Sequence, residues 1–225
     1  EAGGEALWKR WIQAYLACVS FVDDQVGLLL DALEQSEYAD DTVIVFAGDN
    51  GYHMGEKDAL FKGTLWEEAT RVALIIRAPG VSRRGAACRR AVSLVHLYPT
   101  LNALCDLAPS PHANGHGLPL DGTSLVPLLR DPEGGAWDGP DAALSTYQTK
   151  TGALEKHGPS IGESQFTVRG DRWRYTRYGD ASEELFDHET DPHEWENRAG
   201  DDDVTGDQAA MKARFDRLTP GSVPD

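Results

Sequence analysis

In the stretch "AGDNGYHMGEKDALFK" a carboxylate and an amide oxygen stand side by side at Asp49 and Asn50, and an isolated lysine, Lys62, follows thirteen positions after the aspartate. Hard oxygen donors of this kind suit Ca2+ or Mg2+ rather than zinc. Two oxygens do not complete a metal site, however. Further carboxylates would have to come from elsewhere, and Asp-Asn-Gly is equally the composition of a tight turn. Tyr52 and His53 share the loop. His53 could donate a proton or touch a substrate, or be a partly exposed loop histidine; Tyr52 could line a pocket or pack on a sheet edge. Glu56 and Lys57 read as a solvated pair.

The elements around these residues place them at the mouth of a sheet. "TVIVFAG" is β-branched and apolar throughout, the pattern of a strand covered on both faces of a mostly parallel sheet. Asp49 then lies just past its carboxyl end, the edge where open α/β sheets bind ligands. "LWEEATR" predicts a short helical turn, with Arg71 and Glu67 or Glu68 tying the loop down, and "VALIIRAPG" a second buried strand stopped by Pro79 and Gly80. Upstream, apolar residues from Trp8 to Leu33 recur at helical spacing over residues 6–35, an amphipathic helix packed on a sheet with Cys18 buried on its apolar face. "RRAVSLVHLYPTLNALCDLA" predicts a short strand and then a helix from near His96, with Pro99 in its first turn. "PSPHANGHGLPLDGTSLVPLLRDP" reads as an irregular connection. His112 and His116 are four apart in it, but no helix is expected there to turn that spacing into metal ligation.

Composition shifts between residues 131 and 144, dividing the chain into residues 1–135 and 136–225. "STYQTKTGALEKHGPS" is polar and glycine-broken, of the sort that reaches over a site, so Gln148, Lys150 and His157 are candidate substrate contacts. "QFTVRG", "RWRYTRYG" and "EELFDHE" predict short antiparallel strands with Trp173, Tyr175, Tyr178 and Phe186 as their core. "VTGDQAAMKARFDRL" predicts a closing helix capped by Thr205 or Asp207.

Taken in order, "FAGDNGYHMGEK", Lys62, "LWEEATRVALIIRAPGV", "AVSLVHLYPTLNALCDL", "LDGTSLVPLL", "WRYTRY" and "EELFDHETDPHEWENRA" resemble the second half of the type I sulfatases of the alkaline phosphatase superfamily. The likeness is to bacterial enzymes grouped with iduronate-2-sulfatase and runs from about residue 15 to about residue 200. The resemblance implies a partial alkaline phosphatase-like α/β sandwich with a mixed, mostly parallel sheet and a small C-terminal α+β antiparallel subdomain. It implies a sulfuric ester hydrolase acting on a sulfated small molecule or glycan through formylglycine and calcium. Asp49 and Asn50 fall on the metal ligands and Lys62 on the lysine that contacts the sulfate group; Tyr52, His53 and His157 become candidate substrate contacts. Ala73 and His96 depart from the family pattern, which has proline and an acid there, and the "SPHANGHG" insert has no counterpart.

The formylglycine precursor Cys/Ser-x-Pro-x-Arg is absent from all 225 residues, none of Cys18, Cys88 and Cys105 having that context. The nucleophile is therefore expected in an N-terminal segment, and the chain alone is expected to be inactive. An N-terminal half, a partner chain or self-association is expected to cover the sheet's open edge. Phosphodiesterases and phosphonate monoester hydrolases of the same superfamily remain alternatives, as does a truncated chain that binds glycan or a partner without catalysis. The formal charge of −16, from 37 acidic and 21 basic residues, argues against nucleic acid. No apolar run is long enough to span a bilayer. "EAGGEALWKRW" is not a signal peptide and reads like a cut end, so a periplasmic or secreted location is implied only by the family. The odd cysteine count indicates neither a zinc site nor a disulfide scaffold, with a Cys88–Cys105 bridge left open.

Overall fold

The computed structural model describes residues 2–109, 119–148 and 164–219. They fall into two units, residues 1–44 with 77–80, and residues 45–76 with 81–225. In the first unit the helical periodicity becomes α1 (Ala2–Glu34). Its apolar stripe stands open: Trp8, Leu16, Val19, Val22 and Leu29 are exposed, and so is Cys18, against the expectation of a buried thiol. No described helix is long and apolar enough to cross a membrane.

The second unit takes in all of β1 (Ile44–Ala47) but its first residue and all of β4 (Leu74–Arg77) but its last, and the two strands pair. Between them lie β2 (His53–Met54) and β3 (Leu60–Phe61), an antiparallel hairpin with His53 opposite Phe61, and α2 (Glu67–Thr70). The expectation that β1 and β4 are covered on both faces is not met, since Phe46 is 41% and Ile75 63% exposed. Two paired strands give themselves no second layer. The short strand expected before His96 is also absent; a 3-10 turn at Leu94–His96 leads into α3 (Leu97–Leu104), with Pro99 in the first turn. The connection read as irregular contains α4 (Val126–Arg130), whose Pro127 sits at the helix start where a missing N–H costs nothing. Cys88 and Cys105 are both free and exposed, so that bridge is not formed.

The C-terminal residues form a four-stranded antiparallel sheet in the order β5 (Ala143–Gln148), β6 (Ser164–Arg169), β7 (Trp173–Arg177), β8 (Glu183–Asp187), followed by α5 (Thr205–Leu218). Part of the polar stretch beginning "STYQ" is thus an edge strand rather than a loop. One sheet face carries Val168, Tyr175 and Leu185, aligned by the pairs Val168–Tyr175 and Tyr175–Leu185. Met211 and Phe215, four apart on α5, cover it. Phe215 meets Tyr175 edge to face at 5.6 Å and Phe166 at 6.0 Å. Trp173 and Phe186 are also buried, as expected, while Tyr178 is only half-buried. No side chain among the described residues caps α5: Val204 precedes it, and the Thr205 hydroxyl donates to the Asp202 carbonyl at 2.9 Å. Phe215→Leu keeps the apolar volume but loses both ring contacts, so a loss of about 1–2 kcal/mol is expected, read as a lower denaturation midpoint at unchanged slope.

Candidate functional site

At the end of β1 the Gly48 N–H still donates to Ala73 O at 3.0 Å, and the chain then turns through Asp49 and Asn50. The Asn50 N–H donates to Asp49 Oδ1 at 3.0 Å, which fixes the carboxylate over the turn. Gly51 seats the turn on α2: its N–H donates to Ala69 O at 2.9 Å, and a Cβ there would stand 2.0 Å from Glu68 O. Only glycine allows that approach.

The chain then enters the β2–β3 hairpin and a segment rich in left-handed backbone. Gly55, Lys57, Asp58, Phe61 and Gly63 all have positive φ, from 53° to 123°. The three that are not glycine cost about 1 kcal/mol each or more, so the surroundings must hold them. Lys62 projects from this segment and is exposed. Asp49, Asn50 and Lys62 line one broad cleft of about 1930 Å³, with Tyr147, Arg169 and His188 also on its walls.

The other sequence candidates are placed differently. His53 is fully buried rather than partly exposed: its Nε2 bonds Thr64 Oγ1 at 2.7 Å, and its ring meets Trp66 edge on at 6.0 Å. Its Nδ1 is buried without a hydrogen-bond partner among the described residues. Tyr52 is half-buried, its ring edge on to Phe61 at 6.0 Å. Neither side chain lines the cleft. Lys150, His157, His112 and His116 lie outside the described residues, as does the side chain of Gln148.

Glu56 and Lys57 are not a solvated pair. Glu56 accepts the Met54 N–H at 2.7 Å, whereas the Lys57 ammonium donates to Glu194 O and stands over the rings of Trp66 (4.3 Å) and Phe186 (4.4 Å). Burial pulls its pKa below the ordinary lysine value, against the opposing charges of Glu184, Glu194 and Asp191. Glu67 is tied not to Arg71 but to Arg169 (3.2 Å) and Arg174. Arg174, only 1% exposed, donates through Nε to Glu194 Oε1 at 2.5 Å and through its other nitrogens to Glu67, Leu65 O and Thr167 Oγ1. His188 joins Glu194 Oε1 at 2.8 Å. Burial raises the pKa of both Glu67 and Glu194, but their cationic and hydrogen-bonding partners outweigh it, and both carboxyls end below the usual range.

Glu67, His188 and Glu194 offer ligand atoms within 4.8 Å of one another. The guanidinium of Arg174 already lies against both carboxylates, so the cluster is an ion-pair network rather than a cation site. Sequence reasoning missed it. The available signal was a charged residue at an interior position of "RWRYTR" and the acidic run following β8.

His96 is 1% exposed at the head of α3, its Nδ1 accepting the Thr123 N–H at 2.9 Å and its ring edge on to Trp137 at 5.2 Å. Burial lowers its pKa, and an Nδ1 that accepts a hydrogen bond carries no proton. The neutral ring thus avoids the clash with the helix dipole that a cation would meet.

For a cation, Asp49 and Asn50 present hard oxygen donors of the kind Ca2+ and Mg2+ take, on a turn where Asp49 is exposed and Asn50 half-buried. The donor chemistry fits, and the remaining ligands would come from outside these residues.

Residues 2–107 match the family model described as Sulfatase, and residues 55–220 the one described as N-sulphoglucosamine sulphohydrolase, C-terminal. A sulfatase of Formosa agariphila is 36% identical over 206 residues, covering 92% of this chain and 36% of that protein. Among solved structures, BT4656 in complex with its substrate D-glucosamine-2-N,6-O-disulfate superposes with a TM-score of 0.75 at 25% identity, over 91% of this chain and 40% of that one. The phosphonate monoester hydrolase of Agrobacterium radiobacter gives 0.74 at 28% identity, over 91% and 40%. The chain spans about a third of the length of the curated relatives it matches.

Proposed function

The chain belongs to the type I sulfatases of the alkaline phosphatase superfamily, and from that membership we propose that it forms one wall of a site hydrolysing the sulfate ester of a sugar or polysaccharide. The observation that carries this reading is the cleft shared by Asp49, Asn50 and Lys62 at the carboxyl end of β1. In it, Asp49 and Asn50 hold a divalent cation, Ca2+ ahead of Mg2+, with ligands from elsewhere completing the shell. When bound, the cation polarises the sulfate group. Lys62 binds a sulfate oxygen and stabilises the charge that grows as the ester bond breaks. Gly51 and α2 keep the turn still, so that the oxygens need no reorganisation during reaction. The formylglycine nucleophile lies outside the 225 residues, which alone turn over no ester.

The test is sulfate release by the full-length protein that carries this chain. Lys62→Ala is expected to lower kcat/KM by about a hundredfold, the size of effect seen when a charge-stabilising donor is removed. Asp49→Ala should abolish the dependence of activity on added Ca2+ after chelation. The similarity to a phosphonate monoester hydrolase makes phosphonate monoesters the comparison substrate. Turnover of a phosphonate monoester with none of any sulfated sugar would overturn the sulfatase reading while leaving the site residues in place.

A further inference from the structure

We propose that Glu194 is the positioning residue for Lys62, clasping the left-handed segment that carries the lysine at both of its ends. The proposal rests on the reading above, in which Lys62 binds the sulfate group. Lys57 and Glu67 stand five residues before and five residues after Lys62. Glu194 holds both. Its main-chain carbonyl accepts the Lys57 ammonium, and its Oε2 accepts the Glu67 N–H at 2.9 Å.

The clasp is built to be stiff. Glu194 is 1% exposed and itself left-handed, with φ at 58°. Its Oε1 is held by Arg174 Nε at 2.5 Å and His188 Nε2 at 2.8 Å, so the carboxylate cannot rotate away. The Lys57 ammonium is held further by the faces of Trp66 and Phe186, over which it lies at 4.3 and 4.4 Å. What is clasped needs holding: residues 55–63 carry left-handed backbone at Lys57, Asp58 and Phe61, which relaxes unless neighbours over-determine it. An exposed lysine on such a segment keeps one place only while both ends are fixed.

Two variants of the full-length protein test this. Glu194→Gln keeps the shape but replaces one acceptor oxygen by a donor, and Lys57→Met keeps the stem but removes the donor and charge. Arg172→Gln is the control, since it breaks the pair between half-exposed Arg172 and buried Asp187, away from the segment. A misplaced catalytic group costs mainly kcat, so both test variants should lower kcat by about ten- to a hundredfold with KM within about threefold. Amide hydrogen exchange should rise in residues 55–63 while other segments keep their protection, and Arg172→Gln should do neither at a comparable melting temperature. Unchanged kcat and unchanged exchange in Lys57→Met and in a folded Glu194→Gln would overturn the proposal, as would equal effects from Arg172→Gln. If Lys62→Ala leaves turnover intact, the reading of Lys62 fails and positioning for catalysis fails with it. Exchange in residues 55–63 then reports separately whether the clasp holds the segment.

Discussion

Arg174→Met is expected to cost about 3–5 kcal/mol of folding stability, measured by chemical denaturation, because it removes one partner of a buried ion-pair network and leaves the others charged. Methionine fills much of the same volume, so packing changes little. What is lost is hydrogen bonding at Glu194 Oε1, Leu65 O and Thr167 Oγ1, all buried, and at the part-buried Glu67 Oε2. Glu67 keeps Arg169, and Glu194 keeps His188 and the Glu67 amide, so the fold is weakened rather than abolished. In the double variant Arg174→Met with Glu194→Gln, one stranded charge is gone, and the two losses should sum to more than the measured total. Strict additivity would mean that the two side chains are not coupled and that the network is a list of independent contacts.

The same residues set an acid limit. Glu67 and Glu194 have folded pKa values below the usual carboxylate range, so they bind fewer protons folded than unfolded. Their stabilisation is complete above the unfolded glutamate value of about 4.3 and is lost as pH falls through the lower folded values. Arg174 is one source of that depression. Its replacement should therefore move the midpoint of acid unfolding, followed by circular dichroism, to higher pH.

How much of this was legible in the sequence depended on how local the cause was. The run ending at Gly48 placed Asp49 and Asn50 past a strand end, because β-branched residues and a stopping glycine are nearest-neighbour signals. α5 and the antiparallel strands were legible for the same reason. His53 was not: "GYHMG" reads as loop, and the burial comes from Thr64 and Trp66 folding back across the hairpin. The Glu194 clasp spans 137 residues to Lys57 and 127 to Glu67, beyond any local pattern. Arg174 was missed for a related reason. Alternation assigns a charged strand residue to solvent, but β7 is buried at four of its five positions, with α5 on one face and the α2 segment against the other. The strands β1 and β4 failed in the opposite direction, their apolar pattern promising a cover that the described residues do not supply.

Gly51→Ala is expected to cost about 4 kcal/mol or more, or to prevent accumulation of folded protein, which puts it among the exceptional single substitutions. The added Cβ would lie 2.0 Å from Glu68 O, 2.9 Å from Glu68 C and 3.0 Å from Ala69 C. All three are backbone atoms, so no side chain can swing aside. Either α2 or the Asp49–Asn50 turn must move. α2 resists, since its first N–H is held by the Glu194 carboxylate and the Glu67 side chain by Arg169 and Arg174. The turn should give instead, breaking the Gly51 bond to Ala69 O and displacing the two oxygen donors. Gly206→Ala, in α5 with nothing within 4 Å of the new Cβ, is the matched control and should be neutral or stabilising by up to about 1 kcal/mol. On the proposed cation role, any folded Gly51→Ala protein should also lose the rise in melting temperature that Ca2+ gives the parent. If Gly51→Ala instead matches Gly206→Ala in stability, the turn does not rest on α2, and the rigidity ascribed to the Asp49–Asn50 pair has no structural source.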